Sequence, residues 1–96
     1  MKVMLDDRKA APKGWKLATT GEEFLEVCGD GRFVDAVSLD HDLGDGMNGY
    51  AVVLEMLQSW KFWPEIVYVH TMNPAGRDDM VAALQSAPEK VRVIVR

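Results

Sequence analysis

The chain has 96 residues, of which 48% are hydrophobic and 27% are charged, and its formal net charge is −4. This composition indicates one globular domain and excludes an intrinsically disordered chain. The acidic balance argues against a protein that coats DNA or RNA, because such proteins need a basic surface. The acidic net charge does not exclude a small phosphorylated ligand, because a bound divalent cation would reverse the local charge.

The single cysteine and the first residues indicate the compartment. Cys28 is alone, which excludes a disulfide framework and a thiolate metal site, and its place at the end of a helical pattern predicts a structural thiol. Met1 and Lys2 lead straight into a short apolar stretch that cannot serve as a signal peptide, and no apolar run has the length of a membrane span. We therefore expect a cytoplasmic protein without a membrane partner.

Five apolar segments are predicted to be strands, and helical patterns lie between most of them. The strands are residues 2–5, 15–19, 33–39, 65–69 and 91–95, of which the second has the weakest pattern. The first helix begins after Thr20, with carboxylates in its first turn, and Gly29 ends it. The second covers residues 49–60, and the third begins at Asn73. Alternating strands and helices predict one α/β domain with a parallel sheet over residues 1–96.

The apolar spacing also predicts which side of two helices is buried. In the second helix, the residues predicted to face the core at i, i+3, i+4 and i+7 are Tyr50, Val53, Leu54 and Leu57. In the third helix, the residues predicted to face the core are Met80, Val81 and Leu84.

The predicted strands differ in their surroundings. Residues 67–69 are apolar without interruption, which predicts a central strand covered on both faces. Residues 91–95 partly alternate, as a half-solvated edge strand would. Residues 7–14, which separate the first two strands, are too few for a crossover helix. Either a loop makes that crossing, or residues 15–19 are not a parallel neighbour of the first strand.

Three short polar clusters follow directly after predicted strands. They are Asp6-Asp7, Asp40-His41-Asp42 and His70-Thr71. Each cluster alone is explained more simply by turn residues that end a strand. Because the carboxyl ends of parallel strands share one edge of the sheet, where ligands bind in open α/β folds, the three together predict one convergent polar site.

The carboxylates of these clusters predict a metal site. Carboxylates held close together repel one another unless cations or protons compensate, and oxygen ligands favour hard ions such as Mg²⁺, Mn²⁺ or Ca²⁺. Mg²⁺ or Mn²⁺ is the first choice. The predicted metal ligands are Asp6, Asp7, Asp40 and Asp42. Arg8, next to the first pair, either holds a phosphate or balances the charge.

Both histidines of the chain fall inside the predicted site. Because imidazole titrates near neutrality, His41 and His70 are predicted to act as general base and general acid at one phosphorus centre. Zinc ligation by the pair is the second choice, because carboxylates are in excess. Thr71 and Asn73 would donate hydrogen bonds to phosphate oxygens, beside the free N–H groups of the third helix. Arg77, on its first turn, either adds a cationic contact or is a solvated helix residue.

Around these motifs the sequence resembles the receiver domains of response regulators. The matching residues are the acidic pair Asp6-Asp7, then Asp40 with its glycine-containing loop, then Thr71. The resemblance implies a receiver/flavodoxin-like α/β fold, a parallel sheet of order 2-1-3-4-5, and a Mg²⁺ site at the three aspartates. The chain departs from receivers in ways that disfavour an aspartyl-phosphate switch. The helix that follows the first strand in receivers is lost or shortened, and Arg96 follows the fifth strand where receivers have a lysine. Gly44 replaces a usual proline, and His41 and Asp42 occupy positions that are usually apolar.

With these departures the chain is similar to the cyclic-phosphate processing receiver domains. That group is marked by an LDD-x-R start, a following Pro and Trp, a DHDLG segment and an H-[ST]-x-N-P-x-G segment. The matching residues here, within residues 3–84, are Leu5-Asp6-Asp7-Arg8, Pro12, Trp15, Asp40-His41-Asp42-Leu43-Gly44, His70-Thr71-Met72-Asn73-Pro74-Ala75-Gly76 and Met80. The resemblance implies metal-assisted processing of a cyclic phosphate, such as an RNA 2′,3′-cyclic end or a related nucleotide.

The sequence thus predicts a metal-dependent phosphoesterase that acts on a phosphorylated small molecule or an RNA terminus. The predicted catalytic residues are Asp40, His41 and His70. The predicted substrate-binding residues are Arg8, Thr71, Asn73 and Arg77. Asp40 is either a metal ligand or a transient nucleophile. The alternatives are a non-enzymatic module that binds a phosphate or nucleotide in signalling, and a receiver that accepts phosphate on Asp40. No oligomeric state is indicated.

Overall fold

Five strands and three helices make up the fold. The computed structural model describes residues 1–44 and 46–96. The elements, in chain order, are β1 (Lys2–Leu5), β2 (Trp15–Ala18), α1 (Gly21–Cys28), β3 (Ala36–Leu39), α2 (Gly49–Ser59), β4 (Ile66–Val69), α3 (Pro74–Leu84) and β5 (Arg92–Val95). The strands form one sheet of order β2-β1-β3-β4-β5, and every neighbouring pair is parallel. The predicted receiver/flavodoxin-like fold and its order 2-1-3-4-5 are confirmed.

A loop makes the first crossover. Residues 6–14 contain no helix, and β2 pairs in parallel with β1 on its outer side. Gly14, at a φ of +86°, turns the chain into β2. The N–H of Asp6 donates to the carbonyl oxygen of Ala18 at 3.0 Å, which extends the pairing one residue past the end of β1. The second strand is therefore a parallel neighbour of the first, and the helix between them is lost.

A side-chain cap begins each helix, as the sequence signals predict. Thr20 accepts the N–H of Glu23 at 3.1 Å, and the Glu23 carboxylate accepts the N–H of residue 19 at 2.7 Å. Asn48 and Asn73 cap α2 and α3 through their side-chain oxygens. Gly29 ends α1 at a positive φ of 58°. These local signals explain why all three helix starts lie close to their predicted positions.

The hydrophobic core lies between the sheet and all three helices. Side chains alternate between the two faces of a strand, so every second residue of β1, β3 and β4 points toward the helices. The largest core side chains, none more than 2% exposed, are Phe24, Leu5, Leu39, Met56, Met80, Val3, Val37, Val52, Val53, Val67 and Val69. The alternate residues of the same strands, among them Met4, Ser38 and Tyr68, point away from the helices. The domain therefore has two layers, and one face of its sheet carries no helix among the described residues.

The surroundings of β4 correct a prediction. This strand lies inside the sheet, but its burial alternates: Val67 and Val69 are fully buried, whereas Ile66 and Tyr68 are half-buried. The prediction that it is covered on both faces was therefore wrong. Because a loop replaces the helix after β1, that side of the sheet has no helical cover. The edge position predicted for β5 is confirmed.

The buried side of α2 also differs from the prediction. Tyr50 and Leu54 are 37% and 39% exposed, so their predicted inward position was wrong, while Val53 is fully buried. The residues that α2 buries are Gly49, Val52, Val53 and Met56. This helix is apolar nearly all round, so two stripes with the same spacing compete. In α3 the prediction is confirmed for Met80 and Leu84, and Val81 is partly buried against the core.

Cys28 lies at the end of α1 and faces the core, as predicted for a structural thiol. Burial disfavours the thiolate and raises the pKa of this thiol to about 12. None of the helices that the structure describes is both long and apolar enough to cross a membrane.

Candidate functional site

The polar site lies at the carboxyl edge of the three central strands. Leu5, Leu39 and Val69 end β1, β3 and β4 and lie side by side in the parallel register. The residues that follow them, Asp6, Asp40 and His70, are therefore neighbours although they come from distant parts of the chain. Their backbone N–H groups continue the sheet: that of Asp40 donates to residue 5 at 3.0 Å, and that of His70 to residue 39 at 2.9 Å.

Asp6 is the most buried of the acidic residues at this edge, with 2% of its surface exposed. Its Oδ1 accepts the backbone N–H groups of Arg8 and Lys9 at 2.8 and 2.9 Å, and its Oδ2 lies 2.9 Å from Nε2 of His70. Burial raises the pKa of Asp6, but the N–H groups of Lys9 and Arg8, together with His70, lower it by more. The carboxylate is therefore ionised at neutral pH in spite of its burial.

His70 connects Asp6 with a hydroxyl that the sequence analysis did not select. Its Nδ1 lies 2.6 Å from Oγ of Ser38, while its Nε2 faces the carboxylate. We call these three side chains the Asp6–His70–Ser38 chain. Ser38 sits in β3 between apolar neighbours and is 8% exposed. A hydroxyl inside a buried apolar strand was the available signal for it, because such a group needs a hydrogen-bond partner.

The lowered pKa of Asp6 predicts a pH dependence of stability in metal-free buffer with a chelator. An ionised carboxylate with a depressed folded-state pKa stabilises the fold fully above its ordinary pKa of 3.8, and this stabilisation is lost as the pH falls through the folded value. We expect the free energy of unfolding, measured by urea titration, to fall less steeply below pH 4 in Asp6→Asn than in the wild type. Equal slopes in the two proteins would contradict the assignment.

Three aspartates can hold a metal ion together. Asp6, Asp7 and Asp40 each offer a carboxylate oxygen, and these oxygens all lie within 4.8 Å of one another. Opposite ligands of an octahedral Mg²⁺ are about 4.2 Å apart, since each Mg–O distance is about 2.1 Å. Small side-chain rotations would therefore bring the three oxygens around one ion. The donor set contains oxygen alone, which fits a hard cation rather than zinc.

The other predicted metal ligand, Asp42, lies outside this group. Its Oδ1 is 2.8 Å from Nδ1 of His41 and accepts the side-chain N–H of Asn73 at 3.2 Å. The hydrogen bond from His41, followed by that from Asn73, holds the pKa of Asp42 below its usual range. Asn73 also caps α3 through Gly76, so both ends of its amide are in use. Asp42 therefore fixes the orientation of the His41 ring, and Asn73 fixes that of Asp42.

The two predicted histidines occupy different places. The His41 ring packs so closely on Gly76 that a Cβ there would collide with it. His70 is among the residues that line both cavities at this edge, and His41 is among the lining residues of neither. The ring of His70 therefore contacts Asp6 of the three-aspartate group, whereas the ring of His41 contacts Asp42.

The residues predicted to bind the phosphate lie in different parts of the structure. Arg8 lines the cavity above the aspartates. Thr71 accepts the backbone N–H of Asn73 at 3.2 Å and lines the neighbouring cavity on the sheet. Arg77 instead donates from Nε to Asp78 at 3.2 Å, on the exposed side of α3. Of the predicted phosphate contacts, Arg8 is thus the cation nearest the aspartates.

Two cavities meet at His70. The smaller one, of about 210 Å³, is lined by Asp6, Arg8, Lys9, Asp40, Asp42, His70 and Met72. The larger one, of about 660 Å³, lies on the face of the sheet that carries no helix. Lys9, His70 and Met72 line both. The smaller cavity combines carboxylates with two cations, as a site for a metal ion and a phosphate requires.

Comparison with known proteins gives a family and a fold. A sequence profile of the cyclic-phosphate processing receiver domain matches residues 1–86. A solved structure that contains a yeast Spc42 trimeric coiled coil in a fusion matches with a TM-score of 0.61 and 24% identity. The match covers 98% of this chain, which spans 65% of that fusion's length, and it bears on the fold alone. No curated protein matches the chain.

Proposed function

The chain belongs to the family of cyclic-phosphate processing receiver domains, and from this premise we propose that it is a metal-dependent phosphoesterase. Its substrate is a cyclic phosphate, either the 2′,3′-cyclic end of an RNA or a related nucleotide. The observation that carries the proposal is the position of the Asp6–His70–Ser38 chain beside the carboxylates of Asp7 and Asp40. It places a titratable imidazole next to a set of oxygen ligands for a hard cation.

His70 is the general acid–base in this proposal. Hydrolysis of a cyclic phosphodiester takes a proton from the attacking water and gives one to the leaving sugar oxygen, and an imidazole can do both near neutral pH. The carboxylate of Asp6, 2.9 Å from Nε2, fixes the orientation of the ring and occupies that nitrogen. Proton exchange therefore runs through Nδ1, where Ser38 is the present partner.

Asp6, Asp7 and Asp40 would hold Mg²⁺ or Mn²⁺. Such an ion supplies Lewis-acid polarisation of a phosphoryl oxygen. Arg8, which lines the same cavity, binds and orients the phosphate by its guanidinium, whose planar set of N–H donors matches phosphate oxygens. Asp40 accepts the backbone N–H of His41 through Oδ1 at 2.8 Å, so its orientation is fixed before any ligand binds.

The test is hydrolysis of nucleoside 2′,3′-cyclic monophosphates in Mg²⁺ or Mn²⁺, with products separated by chromatography. We expect turnover that stops on chelation and that Asp40→Asn lowers to background. Asp79→Asn is the matched control, because Asp79 is an exposed carboxylate on α3 outside the cavity. It should leave turnover unchanged.

The alternatives give different results in the same samples. Metal-dependent binding of the nucleotide without turnover would replace the enzyme with a binding module. Acid-labile phosphate that is incorporated from acetyl phosphate and lost in Asp40→Asn would indicate a phosphoacceptor receiver instead.

A further inference from the structure

The face of the sheet opposite the helices carries a groove of about 660 Å³. This volume is in the range of sites that enclose small organic ligands. The strand residues that line the groove are Lys2, Met4, Trp15, Ser38 and Tyr68. Loop and end residues complete it, and they are Lys9, Pro12, His70, Thr71, Met72 and Arg96.

The charge of this groove is opposite to that of the whole chain. Its lining contains three cationic side chains, those of Lys2, Lys9 and Arg96, and no aspartate or glutamate among the described residues, although the net charge of the chain is −4. A surface that collects cations on an acidic domain fits an anionic ligand. A polyphosphate backbone is such a ligand, because it releases bound counterions on contact with lysine and arginine.

Two aromatic side chains, Trp15 of β2 and Tyr68 of β4, line the groove. The rings of Trp15 and Tyr68 have centroids 6.2 Å apart and an interplanar angle of 53°. Lys2 and Arg96 lie 5.9 and 3.9 Å from the centroids of Trp15 and Tyr68, respectively. Aromatic rings and stacked guanidinium groups on an open sheet are the means by which many proteins bind unpaired bases.

The groove is continuous with the site of the proposed reaction. Lys9, His70 and Met72 line both the groove and the cavity above the aspartates. Ser38 lines the groove, and its hydroxyl is hydrogen-bonded to His70. A ligand with an anionic end above the aspartates would therefore lay its adjoining portion on the aromatic rings.

We propose that this groove binds the terminal nucleotides of a single-stranded RNA, with a base stacked on Trp15 and the backbone phosphates near Lys2, Lys9 and Arg96. This inference rests on the proposed function, since it gives the polymer whose cyclic end enters the acidic cavity. The cationic rim favours an RNA strand over an apolar peptide, and the net charge of −4 on each chain opposes a second copy.

The test measures binding without chemistry. A fluorescein-labelled hexaribonucleotide with a free 3′-hydroxyl is titrated with the protein in a chelating buffer, and fluorescence anisotropy reports the Kd. We expect Trp15→Ala to raise the Kd by roughly tenfold to a hundredfold, the usual loss for one stacked base. Trp15→Phe should stay close to the wild type because it keeps an aromatic face and the fold.

Two controls match the aromatic and the charge changes. Phe62→Ala removes an exposed aromatic ring that lies outside the groove. Like Tyr68, Phe62 is stacked with a guanidinium group, that of Arg32 at 4.8 Å from the ring centroid. The substitution should leave the Kd unchanged. Lys9→Gln should lower the slope of log K against log salt by about 0.7, the value for one phosphate contact on a single strand, whereas Lys61→Gln, outside the groove, should not.

The proposal is overturned if the wild type does not bind the hexaribonucleotide, if Trp15→Ala binds like the wild type, or if Phe62→Ala weakens binding as much. It is also overturned if sedimentation shows a dimer that Trp15→Ala dissociates, because a second copy would then occupy the groove. Binding of this kind without any cyclic-phosphate turnover would refute the proposed hydrolysis and leave the groove assignment intact. Turnover of mononucleotides by a protein whose RNA binding does not depend on the groove residues would support the proposed hydrolysis and refute the groove assignment.

Discussion

Replacing His70 with alanine is expected to lower the rate of cyclic-phosphate hydrolysis by about a hundredfold to ten-thousandfold, the usual contribution of a positioned general acid–base. The imidazole is held on both sides, by Asp6 at 2.9 Å and by Ser38 at 2.6 Å, so its orientation is fixed before a ligand binds. The measurement is kcat and kcat/KM on a nucleoside 2′,3′-cyclic monophosphate with saturating Mg²⁺.

His41→Ala is the matched histidine control. Because the His41 ring lies between Asp42 and Gly76 and is not among the lining residues of either cavity, its loss should reduce the rate much less than the loss of His70. Ser38→Ala should have an intermediate effect and shift the pH–rate profile, since it removes the partner of Nδ1. A larger loss in His41→Ala than in His70→Ala would reverse the assignment of the general acid–base.

Gly49→Ala is expected to lower the free energy of unfolding by about 3 kcal/mol, at the upper end of the usual range for an overpacked site. A Cβ at this position would collide with the carbonyl oxygen of Asp40 and lie 2.9 Å from Cα of His41 and from Cε of Met80. Two of these neighbours are backbone atoms, which cannot rotate away. Helix propensity alone would predict the opposite sign, because alanine is favoured over glycine by about 1 kcal/mol. Urea denaturation followed by circular dichroism measures the change.

Gly76→Ala provides the comparison, because its Cβ would meet the His41 ring rather than backbone. A second substitution, His41→Ala, should recover most of the stability lost in Gly76→Ala and little of that lost in Gly49→Ala. Such a cycle isolates the contact between the two side chains. Equal recovery in both glycine variants would show that the collision at Gly49 is not with the backbone.

The parallel sheet and the position of the site follow from local features of the sequence. Short apolar runs with parallel connections place Asp6, Asp40 and His70 at one edge, since every such strand ends on the same side. The helix starts were predictable because Thr20 and Asn73 are strong N-cap residues. Each of these inferences uses residues that are close together in the chain.

The features that were not predicted depend on packing between distant segments. Two apolar stripes of α2 have the same spacing, and packing decides which of them faces the core. The buried stripe includes Gly49, which lies close to the backbone of Asp40. Ser38 looks like an ordinary strand residue until His70, which follows β4, is placed beside it. The half-exposure of Tyr68 arises because the chain crosses from β1 to β2 without a helix. No periodicity within one segment carries this information.

The bond between Asp6 and His70 joins residues 64 positions apart. During synthesis, Asp6 is made 64 residues before its histidine partner, which follows β4. Parallel pairing over such separations is slow, because a long loop closes before any contact forms. A nascent chain that ends before β4 contains the aspartates without the imidazole, so the bond between Asp6 and His70 forms only once β4 has joined the sheet.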